Sequence, residues 1–493
     1  MNDPIKKKKL KKILSIVIPP VLLIVIAIIV YNAGLKRNTE RMNQLKAIDG
    51  VTSVKEISQF SGIFDEKYIV TFEQPLDWSN PSVGTFPQRV EVAVNNDADI
   101  NVMDTDGGCL PDVEKKLQLH FEKPTELVAD FNGSYVHVEH RFFGKSRPAD
   151  MSNTETEYWE YNTAENAAND YHYIYTSLRS VLGEKWISTG SGRGGMMTNV
   201  YAYYYPEDML VYVPYAAPFP DGLDDSRFYD FIYLTVGDEA YGEEAGKDMR
   251  HVVTAFQVEA MKYKSELLPE YEKQISKSSY HFQDSVKTDV LYDLNVLEFA
   301  ARIWEKGKYY EKAYGVIEMP ENTDKKLEVK RKSVLALLLK VLDPQEWSTN
   351  SSNWPYYVDA ATTYGQYRYN FFYLQKALEE EGLSDTLSVT QDMQTDFIRN
   401  MVFTPEQKEA FTYDGTFMNN LVSSLDTTTA KHLMIYGATD PWGSMGITNE
   451  TENVIIYTHP RAGQNVLINS MPDELKTEVL DTLSEWTGVE YRQ

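Results

Sequence analysis

The chain has 493 residues, of which 42% are hydrophobic and 25% are charged, and this balance predicts a folded body and excludes an intrinsically disordered chain. Its formal net charge of −25 argues against binding to nucleic acid or to anionic lipid headgroups. Cys109 is the only cysteine, which excludes a disulfide within the chain. No His and Cys cluster has the spacing of metal ligands, so neither a metal nor another cofactor is expected.

The first 35 residues differ in character from the rest of the chain. Six lysines precede an uncharged apolar run from Ile13 to Tyr31, which is about the length needed to cross a bilayer. The lysines predict a cytoplasmic tail over residues 1–12, a single membrane anchor over residues 13–31 and an extracellular body. A cleaved signal peptide is the alternative, but no small-residue cleavage site is evident and the run exceeds a usual signal core.

The predicted extracellular body is strongly acidic. Removing the first 35 residues leaves 42 basic and 72 acidic side chains and a net charge of −30. Such a body would attract a cationic partner or a free amino group. A generally acidic extracellular surface explains the same charge. An outward-facing chain without disulfides is typical of a bacterial surface protein.

Beyond a polar stalk predicted over residues 32–60, strand and helix signals alternate, which predicts an α/β fold with a mostly parallel sheet. Strands are predicted at 68–72, 90–94, 100–103, 135–139, 211–216, 432–436 and 454–459, and helices at 163–182 and 472–486. Residues 221–426 carry long helical patterns and predict a helical cap. The two core segments are therefore 61–220 and 427–493.

A glycine-rich turn at residues 190–195 lies between a predicted strand and a predicted helix. This context is typical of a nucleophile elbow, in which small residues two positions before and after the nucleophile permit a sharp turn. Gly190 and Gly194 fill those positions, and the nucleophile position is Gly192, which has no side chain to attack a substrate. A phosphate-binding loop is the alternative, but the stretch lacks the Gly-Lys-Ser/Thr ending and the dinucleotide spacing.

Several other motifs occur in a characteristic order along the two core segments. They include Glu73-Gln74-Pro75, Glu139-His140-Arg141-Phe142-Phe143-Gly144 and Asp440-Pro441-Trp442-Gly443. Together with the elbow they resemble the secreted bacterial tripeptidyl and prolyl aminopeptidases, which are α/β-hydrolase serine peptidases related to Pro-X carboxypeptidase. The resemblance implies an α/β-hydrolase core with a cap, and a triad in the chain order Ser, Asp, His.

Two of the three triad positions that the resemblance implies hold other residues. The nucleophile position falls on Gly192 and the His position on Gln464, whereas Asp440 matches the acid. Without a hydroxyl no acyl-enzyme forms, and without an imidazole no general base transfers the proton. The alternative is a displaced triad of Ser191, Asp440 and His459. If Ser191 were the nucleophile, Thr189 and Arg193 would occupy the two positions of the elbow that require small residues.

The backbone parts of the site do not depend on those side chains. The implied oxyanion hole uses the N–H of Arg193 and an N–H near Gly107 and Gly108. Glu139 is the candidate that binds the amino group of a peptide, and its alternative role is an ion pair with Arg141 or Arg147.

Three functions follow from these residues. The first is a membrane-anchored relative of the aminopeptidases that has lost catalysis and binds peptides or the amino termini of proteins in the old cleft. The second is an active serine exopeptidase that uses the displaced triad. The third is a structural surface protein whose cleft is unused. Oligomeric state does not follow from the sequence.

Overall fold

The computed structural model describes residues 39–57, 63–105, 108–110, 125–153, 155–223, 225–284, 286–307, 309–350, 352–365, 370–390, 393 and 397–492. The cytoplasmic tail and the membrane anchor predicted at 1–12 and 13–31 lie outside these residues. Among the residues described, no helix combines the length and the apolar character needed to span a bilayer.

A nine-stranded sheet forms the centre of the molecule, in the order β1-β2-β3-β5-β4-β6-β7-β8-β9. The first three pairings, β1 to β2, β2 to β3 and β3 to β5, are antiparallel, and the remaining five are parallel. The strands are β1 Val51–Glu56, β2 Glu66–Pro75, β3 Thr85–Val94, β4 Ile100–Asp104, β5 Gly133–Val138, β6 Trp186–Ser191, β7 Val211–Tyr215, β8 His432–Gly437 and β9 Val454–His459.

Helices flank the sheet and fill the long connection between β7 and β8. Those around the sheet are α1 Glu126–Asp130, α2 Ala164–Leu182, α3 Arg193–Tyr204 and α16 Asp473–Thr487. Those between β7 and β8 are α4 Arg227–Asp230, α5 Asp238–Tyr241, α6 Glu243–Lys262, α7 Lys264–Ser276, α8 Thr288–Glu305, α9 Tyr310–Ile317, α10 Asp324–Val341, α11 Trp354–Asp359, α12 Phe372–Glu380, α13 Phe397–Met401, α14 Pro405–Ala410 and α15 Thr416–Ser424.

Each face of the sheet has its own core because successive strand residues point to opposite sides. Trp186 belongs to the core shared with α2 and α3, whereas its neighbour Ile187 belongs to the core shared with α1 and α16. A third core joins the helices between β7 and β8 and also includes Phe86 and Phe142 from the sheet side. The helical connection therefore packs directly on the body that carries the sheet.

The stalk predicted over residues 32–60 is wrong for its described part. Residues 39–46 are helical, and Leu45 is completely buried against the sheet. β1 then pairs with β2, with Val54 opposite Val70 and Val51 opposite Phe72. The polar composition of this segment gave no sign of the pairing. β1 is an edge strand, so its side chains need to be only partly buried.

The alternation of strands and helices predicted an α/β fold with a mostly parallel sheet, and this prediction is confirmed. The turn after β6 and the loops after β8 and β9 lie at the carboxyl edge of the parallel strands, where α/β proteins place their sites. The sheet thus brings together three segments, of which the first and last are about 270 residues apart in the chain.

Candidate active site

The turn after β6 has the geometry of a nucleophile elbow. β6 ends at Ser191, α3 begins at Arg193, and Gly192 between them adopts φ 56° and ψ −115°. Side chains rarely accept this conformation without strain. A Cβ atom on Gly190 would lie 2.5 Å from the carbonyl oxygen of Gly194. A side chain at Gly190 is therefore excluded by the close approach of the Gly194 backbone.

The base position lies directly against the nucleophile position. The Nε2 atom of Gln464 is 3.1 Å from the point that a Cβ atom of Gly192 would occupy. Both residues line one cavity of about 350 Å³. The part of its wall that the sheet-bearing body forms also includes Met196, Pro218 and Trp442. The triad positions that the sequence predicted for the nucleophile and the base are therefore neighbours.

Asp440 lies under the cleft wall and is not in contact with solvent. It is 1% exposed, and its two carboxyl oxygens accept hydrogen bonds from the backbone N–H groups of Trp442 (3.1 Å) and Gly443 (3.0 Å). The neighbouring N–H of Thr439 donates to the carbonyl of Ala462, which links the turn after β8 to the loop that carries Gln464. Burial raises the pKa of Asp440 to about 8, and the two N–H donors only partly oppose this effect.

Arg193 contributes more to the site than the N–H group predicted from the sequence. Its guanidinium is buried, forms an ion pair with Asp359 of α11, and lies over the rings of Phe143 and Tyr356. His140 lies next to it, and burial together with this positive charge lowers the pKa of His140. Of the other predicted oxyanion residues, Gly108 is half-buried, and Gly107 lies outside the described residues.

Glu139 does not bind ligands in the cleft, and its predicted role is corrected. It is fully buried, and its carboxylate holds the guanidinium of Arg89 at 2.9 and 3.0 Å. The same carboxylate accepts from the N–H of Leu110 (2.7 Å) and the hydroxyl of Ser146 (2.5 Å). Every acceptor position is used internally, so Glu139 stabilises the core. Its ion-pair partner is Arg89 and not one of the two arginines considered from the sequence.

The displaced triad is not assembled. The Nε2 atom of His459 lies 2.8 Å from the carbonyl of Ser470, and its Nδ1 accepts the N–H of Arg461 at 3.0 Å. These partners require a neutral ring with its proton on Nε2. Ser191 is exposed and is not among the residues that line the cavity. His459 therefore stabilises the loop after β9 and is not directed at Asp440 or Ser191.

The outer wall of the cavity comes from the helices between β7 and β8, and sequence reasoning found almost none of it. Arg302 lies in this wall with Glu346, and its Nη1 and Nη2 atoms donate at 2.6 Å to Glu305 and Glu346 respectively. Burial raises the pKa of Glu346. The only sequence signal was a loose match at Trp354-Pro355 and in the tyrosine-rich run at 364–369. Among the described residues, no group of three His, Cys, Asp or Glu side chains is placed to hold a metal ion.

The chain is similar in sequence to a bacterial aminopeptidase. Over 237 residues the chain is 29% identical to the prolyl tri/tetrapeptidyl aminopeptidase of Streptomyces mobaraensis. That match covers 48% of this chain and 45% of the relative, so the chain matches less than half the length of that relative.

Two examples from the solved structures that are similar to this chain share only low identity with it. Proline iminopeptidase from Mycobacterium smegmatis is 12% identical, with a TM-score of 0.32 over 85% of this chain and 98% of that one. A rice cell wall degrading esterase from Xanthomonas oryzae is 11% identical, with a TM-score of 0.35 over 89% of this chain and 99% of that one.

A family profile extends over nearly the whole chain. The profile of PS-10 peptidase S37 matches residues 37–492, which include every strand of the sheet, the elbow, the helices between β7 and β8 and the loop after β9. The match begins within the segment that the sequence alone suggested was a stalk. Because this profile covers far more than half of the chain, the chain belongs to the family of the PS-10 peptidase S37.

Proposed function

We propose that this chain is a peptidase-family member that has lost hydrolysis and binds peptides or a protein amino terminus in its cleft. The observation that carries the proposal is the pair at the reaction centre. Gly192 supplies no hydroxyl, and the Gln464 amide lies 3.1 Å from where a nucleophile's Cβ would be. An amide cannot take a proton from a nucleophile and return it to a leaving amine.

The groups of the site that take no part in hydrolysis support the proposal that the cleft still binds a ligand. Gly192 makes no side-chain cap for α3, so the first N–H groups of that helix remain available as donors. On the opposite wall Glu305 and Glu346 share the single guanidinium of Arg302, which gives a local surplus of acidic groups around Arg302. An ammonium group is the ligand group that such a surplus attracts.

The proposed location is the outer face of a cell membrane. Its support is the apolar run at residues 13–31 behind six lysines, which is long enough for a single span with the body outside. Fractionation of cells that express the full chain, followed by protease treatment of intact cells, tests this location. Protection of the body from the protease would contradict it.

The loss of hydrolysis is tested first on the wild-type chain. A fluorophosphonate probe should not label it, and a chromogenic tripeptide anilide should release no product above the rate in buffer. Labelling of a serine would instead identify an active exopeptidase.

The integrity of the cleft is tested by restoring the two missing groups. The double variant Gly192→Ser with Gln464→His should regain part of the hydrolysis, because Asp440 still follows β8. Its matched control is Gly192→Ala with Gln464→His, which has the same Cβ and the same imidazole but no hydroxyl. A folded double variant with no more activity than this control would contradict a preserved cleft.

A further inference from the structure

The corner of the cavity between Gly192 and Gln464 is rich in hydrogen-bond donors. α3 has 12 residues, its N-cap residue is Gly192, and no side chain caps its first turn. Its first N–H groups and the positive end of its dipole therefore point towards this corner. A helix end alone does not define a site, so the surrounding side chains decide what it binds.

Two side chains add donors at the same place. Within the part of the chain that the structure describes, the Gln464 amide makes no hydrogen bond, although its Nε2 atom lies against the Gly192 position. Arg193 also lines the cavity, and its side chain is only 6% exposed. Its Nε and Nη2 atoms are directed to Asp359, whereas its buried Nη1 atom has no hydrogen-bond partner among the described residues.

The acidic side chains around this corner are protonated or paired with arginine, so they oppose an anion only weakly. Asp440 is buried beneath the wall, and with a pKa of about 8 it stays mostly protonated. Asp359 is buried as well, and its charge is paired with Arg193. In a working triad an imidazole would stand between the acid and the nucleophile, whereas here a neutral amide faces the cavity.

We propose that this corner binds the C-terminal carboxylate of a short free peptide. The carboxylate would accept from the N–H of Arg193 and from the amide of Gln464, at the place that a nucleophile's side chain would otherwise fill. The inference rests on the proposed loss of hydrolysis, since an active enzyme would need this space for the reaction. It narrows the ligand class from any exposed amino terminus to a peptide with both ends free.

The size and charge of the cavity fit such a ligand. A volume of about 350 Å³ is at the lower end of the range for small-molecule sites, which favours a peptide of a few residues. The acidic surplus of Arg302, Glu305 and Glu346 lies in the helical wall, where it attracts the ammonium end. A zwitterionic peptide therefore meets an acidic group at one end and a donor corner at the other.

The test compares one tripeptide as its free acid and as its C-terminal amide, by isothermal titration of the full-length chain at about pH 7. The acid should bind at least roughly tenfold more tightly, because hydrogen bonds to a charged acceptor are stronger than those to a neutral one. Equal affinities for the acid and the amide would overturn the inference. Mass spectrometry of the recovered peptides separates this failure from a failure of the proposed loss of hydrolysis, which cleaved peptides would reveal.

A pair of variants locates the carboxylate. Gln464→Glu replaces a donor by a negative charge of the same shape, and it should weaken binding of the acid by roughly tenfold or more while changing binding of the amide far less. Asn465→Asp makes the same chemical change at the next, exposed position, which does not line the cavity, and should leave the preference intact. Equal losses for acid and amide in Gln464→Glu would place the carboxylate elsewhere.

Discussion

Gly192 has no side chain, and both its backbone conformation and the neighbouring Gln464 would disfavour a side chain there. The φ of 56° with ψ of −115° is a conformation that glycine tolerates better than other residues. An active member of such a fold maintains this strain around its nucleophile. This chain has no hydroxyl to position, so glycine removes the strain, and the Gln464 amide lies against the empty position.

The first prediction concerns that strain. Gly192→Ser alone should lower the free energy of unfolding by about 1–3 kcal/mol, because it adds a strained conformation and a 3.1 Å contact with Gln464. Urea unfolding measures the change. Adding Gln464→Ala should restore the part that is due to the contact.

The control for this prediction is Gly488→Ser. Gly488 also has a positive φ, 63°, but a Cβ there would meet nothing within 4 Å. Its cost should come from the backbone alone and be smaller. A Gly192→Ser variant as stable as the wild type would show that the elbow relaxes.

The second prediction follows from the buried acid. The folded chain holds a proton on Asp440 up to about pH 8, whereas an unfolded aspartate, with its ordinary pKa of 3.8, loses it near pH 4. The folded state therefore binds more protons over this range, and this residue's contribution to stability falls as pH rises from about 4 to about 8, then stays level.

Asp440→Asn removes this contribution because an amide does not titrate. The unfolding free energy of the variant minus that of the wild type should therefore rise with pH, by at most roughly 1.4 kcal/mol per unit, up to about pH 8. Urea unfolding at about pH 5, 7 and 9 measures this difference. A difference that does not change with pH would contradict a protonated Asp440.

At the scale of elements, a buried ion pair joins α2 to the end of β5 and to the strand β2. Asp170 on α2 accepts two hydrogen bonds of 2.8 Å from Arg141, which is completely buried and also donates to the carbonyls of Leu76 and Tyr161. Trp78 donates its indole N–H to the same carboxylate. Arg141 belongs to one of the motifs of the family resemblance, and its role here is to fix loops beside the elbow.

The third prediction is that Asp170→Asn lowers the free energy of unfolding by about 3–5 kcal/mol, because Arg141 would remain buried without a counter-charge. Thermal or urea unfolding measures the loss. Glu165→Gln is the matched control, since it removes one carboxylate from the exposed side of the same helix and should cost no more than about 1 kcal/mol. Similar losses in both variants would show that the helix, and not the ion pair, sets the cost.

At the scale of the whole molecule, the helices between β7 and β8 are connected to the sheet-bearing body by polar contacts at the cleft as well as by the apolar core. Asp359 at the end of α11 receives the guanidinium of Arg193 from α3 and the amide of Asn162 (2.6 Å). All three side chains are buried. The ion pair that supports the elbow therefore also holds the helical wall in place.

The fourth prediction is that Asp359→Asn loosens this wall. Hydrogen exchange in α11 should accelerate by at least roughly tenfold, because a buried guanidinium left without its partner costs several kcal/mol. Asp385→Asn is the control, since Asp385 is exposed and lies away from the cleft-lining residues. Unchanged exchange in α11 would indicate that the apolar core alone holds the wall.

The sequence by itself determined the α/β character of the core and most of its element positions. The predicted strands at 90–94, 211–216 and 454–459 fall on β3, β7 and β9, and Thr163 caps α2 where the predicted helix begins. These signals are local, because strand periodicity, helix caps and glycine turns are written in neighbouring residues. The glycine at the nucleophile position, Gly192, could likewise be recognised from the sequence, because the residues of an elbow motif are contiguous in the chain.

Only the tertiary structure decided the partners of the buried charges and the outer wall of the cleft. Glu139 pairs with Arg89, Arg193 pairs with Asp359, and residues 51–56 join the sheet although their composition is that of a stalk. A buried charge must find a counter-charge, but the sequence does not specify which of several it meets. That choice depends on how the helices between β7 and β8 pack over the elbow, and contacts at such long range leave no periodic pattern in the chain.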